Sequence, residues 1–461
     1  MITHLLAQTV PTDQVEALET ARKAVEQAQQ ALTRASDALG MTEHSKTMME
    51  IVANYVVVFV VSFVVCLAMV PVCRRLSLMY GIVDWPDEKR KVHKQPIAYL
   101  GGLAVYLGLI AGILITYLPF FPYHSDYVNF PPTAIVLGIT LILVTGIVDD
   151  VWGLSPRLKV GGQLLAAAAL AVEDVGVHVA SGLLKPIGEL LGNPSLVYHI
   201  PLPGDFTILG SGSIEIDIVY WVGTAIIAIA VLGACNASNL LDGLDGLLSG
   251  ITAIAAAGLV IISLYLASVM PGGQLPHPEG ELDAARIIIS LALLGACLGF
   301  LPYNFNPAVI FLGDAGSMLL GFTTISIILM LGERGYTHLV LAGLIVYAVP
   351  IIDTTLAIVR RKLAGKPLMS PDDQHLHHML KRSLGVKGAV FVLYGISAAF
   401  GFVGITLVFF RGRIAYAVAM VLAAFVGVIA IKIARKNIAE AEMAQLAAAR
   451  EAANGKSKSD D

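Results

Sequence analysis

Apolar side chains occur along this chain in long unbroken blocks, and the short stretches between the blocks hold most of the charge. From Glu50 onward eleven blocks approach the roughly 20 residues that a helix needs to cross a hydrocarbon core. They are Glu50 to Val72, Ile97 to Phe120, Pro132 to Val148, Leu158 to Val175, Ile218 to Cys235, Leu247 to Val269, Ala284 to Leu301, Gly316 to Leu331, His338 to Val359, Gly388 to Phe410 and Arg413 to Ile433. Lipid offers no partner for an open sheet edge, so runs of this length are helices. The pattern predicts an all-α polytopic membrane protein with about eleven transmembrane helices. It divides the chain into a polar N-terminal extension (1–48), a transmembrane domain (49–433) and a C-terminal tail (434–461).

The loops set the orientation. Arg74, Arg75, Lys89, Arg90, Lys91 and Lys94 fall in the first loop, Arg157 and Lys159 in the third, and Arg360, Arg361, Lys362, Lys366, Lys381, Arg382 and Lys387 in the ninth. Even-numbered loops hold only Lys185, Arg334, Arg411 and Arg413, with Arg286 at a helix edge. The positive-inside rule places the odd loops and the C-terminus in the cytoplasm and the N-terminus outside. The longer outer loop from Gly176 to Asp217 contains two short β-prone pieces around Gly210-Ser-Gly212, which predict a small external hairpin. The N-terminal extension has a helix-like spacing at Val15, Leu18, Ala21, Val25 and Leu32 and lacks the layout of a signal peptide.

Composition agrees with a membrane protein: 56% of residues are hydrophobic and 14% charged. A net charge of −4 gives no basis for a nucleic-acid partner. Cys66, Cys73, Cys235 and Cys297 lie in or beside apolar runs without metal or disulfide spacing, and read as small buried hydrophobes.

Polar residues gather on the side assigned to the cytoplasm. The third loop opens with Asp149-Asp150 and continues through Lys159 to Gln163. The fifth reads Asn236-Ala-Ser-Asn239-Leu-Leu-Asp242-Gly243-Leu-Asp245-Gly246, the seventh holds Phe305-Asn-Pro-Ala and Gly313-Asp314-Ala-Gly316-Ser317, and the ninth holds Asp372-Asp373-Gln-His375-Leu-His377-His378. Taken singly, a pair such as Asp149-Asp150 is an ordinary helix cap or a solvated loop. Four such clusters on one face instead suit a polyanionic ligand. Carboxylates and amides can hold Mg2+, which takes one or two protein carboxylates and completes its shell with water and phosphate oxygens. Glycines beside Asp314 allow a phosphate close to the backbone. The histidine spacing is not a zinc pattern, and beside Arg360, Arg361 and Lys366 these residues read as donors to a polyanion. The inventory points to phosphoryl transfer between a lipid phosphate and a cytoplasmic donor.

Together these motifs resemble the polyprenyl-phosphate N-acetylhexosamine-1-phosphate transferase family, over about Val52 to Ile433. Asp84 to Pro96, leading to Gly101-Gly102, is similar to the family's first cytoplasmic loop. Ala98-Tyr99 departs from it, standing where these enzymes commonly have proline and arginine, so no charge contact is assigned there. The resemblance implies a bacterial inner-membrane enzyme with its active site on the cytoplasmic face. It implies Mg2+, or Mn2+ in its place, and transfer of a sugar-1-phosphate from a UDP-sugar to undecaprenyl phosphate with release of UMP, starting a cell-envelope polysaccharide. It allows a homodimer.

Carried onto this sequence, the resemblance makes Asp314 and Asn239 metal-facing and gives Asp149 and Asp150 the lipid phosphate and its proton, with Asp314 also catalytic. Lys159 would hold the diphosphate, Asp242 and Asp245 would shape the nucleotide pocket, His375, His377 and His378 would belong to the sugar-reading loop, and Asn236 and Arg360 would be further substrate-binding residues. Within the family, the His-Leu-His-His form is closer to the N-acetylglucosamine branch than to phospho-N-acetylmuramoyl-pentapeptide transferase. A cation-coupled secondary transporter is the rival from another class, but its acids belong near mid-membrane in repeated halves.

Overall fold

The computed structural model describes residues 48–85, 96–118, 132–201, 213–269, 281–333, 335–363, 365, 367, 375–410, 412–428 and 431–432. The N-terminal extension before residue 48, the C-terminal tail, Lys366 and Asp372-Asp373 lie outside the described residues.

The apolar runs form helices. In chain order these are α1 (Met48–Met79), α2 (Gly101–Leu114), α3 (Thr133–Trp152), α4 (Pro156–Val172), α5 (Val179–Leu190), α6 (Ile218–Leu241), α7 (Leu247–Val269), α8 (Glu281–Asn304), α9 (Gly313–Met330), α10 (Thr337–Val346), α11 (Ala348–Leu363) and α12 (Leu376–Val408). A further apolar helix, α13, spans Gly412–Val428. Among the described residues, seven helices have the length and composition to cross a membrane, or eight if α10 and α11 form one broken span. The chain is an all-α polytopic membrane protein. The remaining expected runs correspond to the shorter helices α2, α4 and α13.

Burial separates the helices by role. In α9 every described position from Gly313 to Met330 except Asp314 is buried, and its hydroxyls bond within the helix, Thr323 Oγ1 donating to Leu319 O at 2.8 Å and Ser326 Oγ to Phe322 O at 2.8 Å. It is the central post, packed by α2, α3, α6, α7 and α8. Self-satisfied hydroxyls and small side chains let a helix occupy such a position. By contrast, α1 exposes Val56, Val60 and Val64 at four-residue spacing and buries Val58, Ser62, Cys66 and Val70, so one stripe is left for lipid and one packs on α2 and α8.

Two features depart from the apolar pattern. The ninth run, His338 to Val359, is bent by 83° between α10 and α11. Tyr347 leaves helical geometry at the junction, and Pro350 falls in the first turn of α11, where its missing N–H costs no internal bond. The loop from Gly176 to Asp217 contains the amphipathic helix α5 as well as a hairpin. That hairpin pairs β3 (Val197–Pro201) with β4 (Ser213–Asp217), so its first arm lies upstream of the expected segment, which falls outside the described residues.

A small strap ties the first loop to the central helix. The two-residue strands β1 (Val83–Asp84) and β2 (Ile97–Ala98) pair antiparallel, and Ala98 bridges to Ile310. Phe311 N donates to Ala98 O at 2.9 Å, Gly101 N to Phe311 O at 3.0 Å and Gly102 N to Leu312 O at 2.9 Å. The start of α2 is thereby tied to the segment that leads into α9.

Candidate active site

Asp149 and Asp150 are neighbours near the C-terminus of α3, about 100° apart around the helix, and so serve different walls. Asp149 Oδ1 accepts Leu154 N at 2.7 Å, and its Oδ2 lies 2.8 Å from Lys159 Nζ. Asp150 turns toward α9, where its two oxygens accept Asp314 N at 2.7 Å and Ala315 N at 3.1 Å. These are orphan N–H groups of the first helical turn, so Asp150 caps the helix that carries Asp314. Gly313 sits at φ +70°, and a Cβ there would lie 2.6 Å from Asp150 Oδ2, which explains the glycine.

Lys159 reaches the site because α4 starts abruptly, with Ser155 as N-cap and Pro156 in the first turn. Its ammonium bridges Asp149 and Asp314. From α6, Asn239 Nδ2 donates to Asp314 Oδ1 at 2.6 Å and to Ser317 Oγ at 3.0 Å. Asn236, one turn earlier on the same face, donates to Gln163 Oε1 at 2.9 Å and so ties α6 to α4. The ends of α3, α4, α6 and α9 thus meet in one half-buried network.

The loop between α6 and α7 divides its two acids. Asp245 Oδ2 accepts Asn306 Nδ2 at 2.8 Å and Ala308 N at 3.1 Å, latching this loop to the seventh. Asp242 makes no side-chain hydrogen bond among the described residues. Burial, with the Asp314, Asp150 and Asp245 carboxylates around it, pushes its carboxyl up to about 8. One ammonium does not balance the acids gathered here, and a cation would relieve their repulsion. Among the described residues no group of three or more His, Cys, Asp or Glu forms a metal cage. Mg2+ asks for less, because water and substrate oxygens supply most of its shell. Asp242 and Asp314 fit it on that basis.

The histidines form a second cluster. His375 and His377 are 4% and 1% exposed, and their rings stack 5.5 Å apart, while His378 is half-buried. The Nε2 of His377 lies against Gly243, whose lack of a side chain permits the approach and joins the histidine segment to the Asp242 loop. Arg360 is buried two turns beyond Asp353 on the same face of α11.

A family profile described as glycosyl transferase family 4 matches residues 132–332, the span that carries α3, α4, α6 and α9. A probable undecaprenyl-phosphate N-acetylglucosaminyl 1-phosphate transferase of Bacillus subtilis (strain 168) is 34% identical over 358 residues, covering 76% of this chain and 84% of that protein. The chain belongs to glycosyl transferase family 4. Within the same comparison, a decaprenyl-phosphate N-acetylglucosaminephosphotransferase of Mycolicibacterium smegmatis is 36% identical, covering 67% of this chain and 70% of that protein. An undecaprenyl-phosphate alpha-N-acetylglucosaminyl 1-phosphate transferase of Escherichia coli (strain K12) is 28% identical, covering 71% of this chain and 76% of that protein.

In this family 4 member the site contains residues that motif reading passed over. Ser317 accepts from Asn239 and is legible only as part of the Gly-Asp-Ala-Gly-Ser stretch. Tyr99 is held by its backbone N–H to Ile82 O at 3.2 Å and Ser77 Oγ at 2.9 Å, with its ring edge-on to Phe311. Burial, with the Asp150, Asp314 and Asp242 carboxylates adding to it, pushes its hydroxyl up from the ordinary tyrosine range. Asp353 had a signal, a carboxylate inside the apolar run His338 to Val359.

Proposed function

We propose that this protein transfers N-acetylglucosamine-1-phosphate from its UDP derivative to a polyprenyl phosphate, undecaprenyl phosphate in the first instance, and releases UMP. The reaction takes place at the cytoplasmic face of a bacterial inner membrane and starts a cell-envelope polysaccharide. The observation that carries this reading is the bridging of Asp149 and Asp314 by Lys159, at helix ends where a lipid headgroup and a soluble nucleotide can both arrive. Relatives named for transfer of N-acetylglucosaminyl 1-phosphate to undecaprenyl or decaprenyl phosphate support the acceptor and the transferred group.

An oxygen of the lipid phosphate bonds to the sugar-bearing phosphorus, the bond from that phosphorus to the bridging oxygen breaks, and UMP leaves with the bridging oxygen. Lys159, set between two carboxylates in the resting protein, neutralises the diphosphate and the charge that builds on the leaving phosphate. Asp149 takes up the remaining proton of the lipid phosphate, while Asp150 holds Asp314 in place through the start of α9. Asp314 and Asp242, with Asn239 beside them, would hold Mg2+, which polarises the diphosphate when bound.

The test is the purified protein with undecaprenyl phosphate, Mg2+ and a panel of UDP-sugars, reading UMP release and the lipid product. Lipid-linked N-acetylglucosamine phosphate is the expected product. Reaction with UDP-N-acetylmuramoyl-pentapeptide alone would move the protein to the peptidoglycan branch. Ion-driven uptake without any lipid product would make it a transporter.

A further inference from the structure

Asp353 is 1% exposed on α11, and both of its carboxylate oxygens meet the start of α12. Its Oδ1 accepts Leu376 N at 2.8 Å, and its Oδ2 lies 2.9 Å from His375 Nδ1 and 3.8 Å from His377 Nδ1. His375 is the N-cap residue of α12 but offers no side-chain cap, so Asp353 supplies that acceptor from a neighbouring helix. A carboxylate only accepts. His375 therefore carries its proton on Nδ1, and its Nε2 chemistry is set from behind. Ring stacking passes the constraint to His377, whose far nitrogen rests on Gly243 beside Asp242. His377 and His378 then sit 4.2 Å apart between ring centroids, and His378 is the one of the three with solvent access.

We propose that Asp353 is a positioning residue for donor recognition: it fixes the tautomer of His375 and locks the His375-to-His378 segment against the Asp242 loop, so that His378 is presented to the UDP-sugar. This assignment rests on the proposed transferase reaction. It separates the histidines by task, His375 and His377 as the buried support and His378 as the contacting group. Asp353 lies on α11, the half of the bent run that follows Tyr347, and meets the start of α12 there.

The decisive variant is Asp353→Asn. Its amide oxygen can still cap Leu376 N, but its NH2 faces His375 Nδ1 and forces the proton to Nε2. The expected result is a folded protein with a roughly 10-fold or greater rise in KM for the UDP-sugar, a fall in kcat, and an unchanged KM for polyprenyl phosphate. Nitrogen-15 NMR of histidine-labelled protein, recorded without substrate, should show the Nδ1-protonated form of one histidine lost in the variant. Wild-type kinetics in folded Asp353→Asn, or an equal change in both KM values, overturns the proposal. Should that variant fail to fold, Gly243→Ala tests the same support from the other side, since its methyl displaces His377. A donor-specific KM rise is expected there, and normal donor KM in Gly243→Ala overturns the proposal. Absence of transfer by the wild-type protein would instead count against the transferase reading, because the NMR signature does not depend on activity.

Discussion

The two ends of the helical bundle use similar acidic residues in opposite ways. At the end bearing α5 and the hairpin, Glu173 accepts Ala134 N at 3.0 Å, Glu333 accepts Gly176 N at 2.9 Å and Arg286 donates to Met330 O at 2.9 Å. Each of these bonds closes on the backbone of a helix end or of the turn between α4 and α5. At the other end, Lys159, Asp149, Asp314 and Asn239 bond to one another across four helices, and Asp242 has no hydrogen-bond partner among the described residues. Charge that closes on backbone holds a fold together. Charge left facing other charge is arranged for something that arrives later.

That contrast can be broken by substitution. The largest effect is expected from Asp314→Ala, which should lower transfer by about 1,000-fold while the protein still inserts and purifies; near-normal product would remove Asp314 from the site. Next, Asp149 and Asp150 should part company. Asp149→Asn should cost about 100-fold in rate with little change in thermal unfolding. Asp150→Asn should also destabilise the protein, by about 1–2 kcal/mol, because a cap of α9 is weakened. Equal melting temperatures for the two variants would contradict the division of labour drawn from their bonds.

A pH series sharpens the comparison further. The Asp242 carboxyl is held up at about 8 in the folded protein, above its unfolded value, so its ionisation opposes folding increasingly as pH rises from about 4 to 8. Asp242→Asn should therefore raise the melting temperature of chelator-treated protein more at pH 8 than at pH 5. An identical shift at both values would show that Asp242 is not crowded by like charge. The smallest effect belongs to the opposite end. Glu173→Gln should lose about 1 kcal/mol or less of stability and leave turnover per folded molecule unchanged.

Legibility followed the physics of each signal. A run of apolar residues is a local property, and its length alone indicates a helix in lipid, so the main helices coincide with their predicted runs. The hairpin arm at Val197–Pro201 was harder to read, because five residues of mixed polarity fit several pairings until the partner strand is known. Among the acids, the motifs identified which residues to watch but not what each one holds. Asp245 reads like Asp242 in the sequence, and only the folded seventh loop turns it into a latch. Asp353 was visible as an acid inside an apolar run, but its partners lie 22 and 23 residues further along the chain, at the start of the next helix.

The sequence by itself determined that the chain crosses a membrane as helices and that its polar motifs sit at the ends of those helices, because hydrophobic length and charge are read one segment at a time. The tertiary structure decided which of those groups meet. Lys159 and Asp314 are 155 residues apart, and a contact of that kind exists only once α3, α4, α6 and α9 have packed and brought their ends to one place.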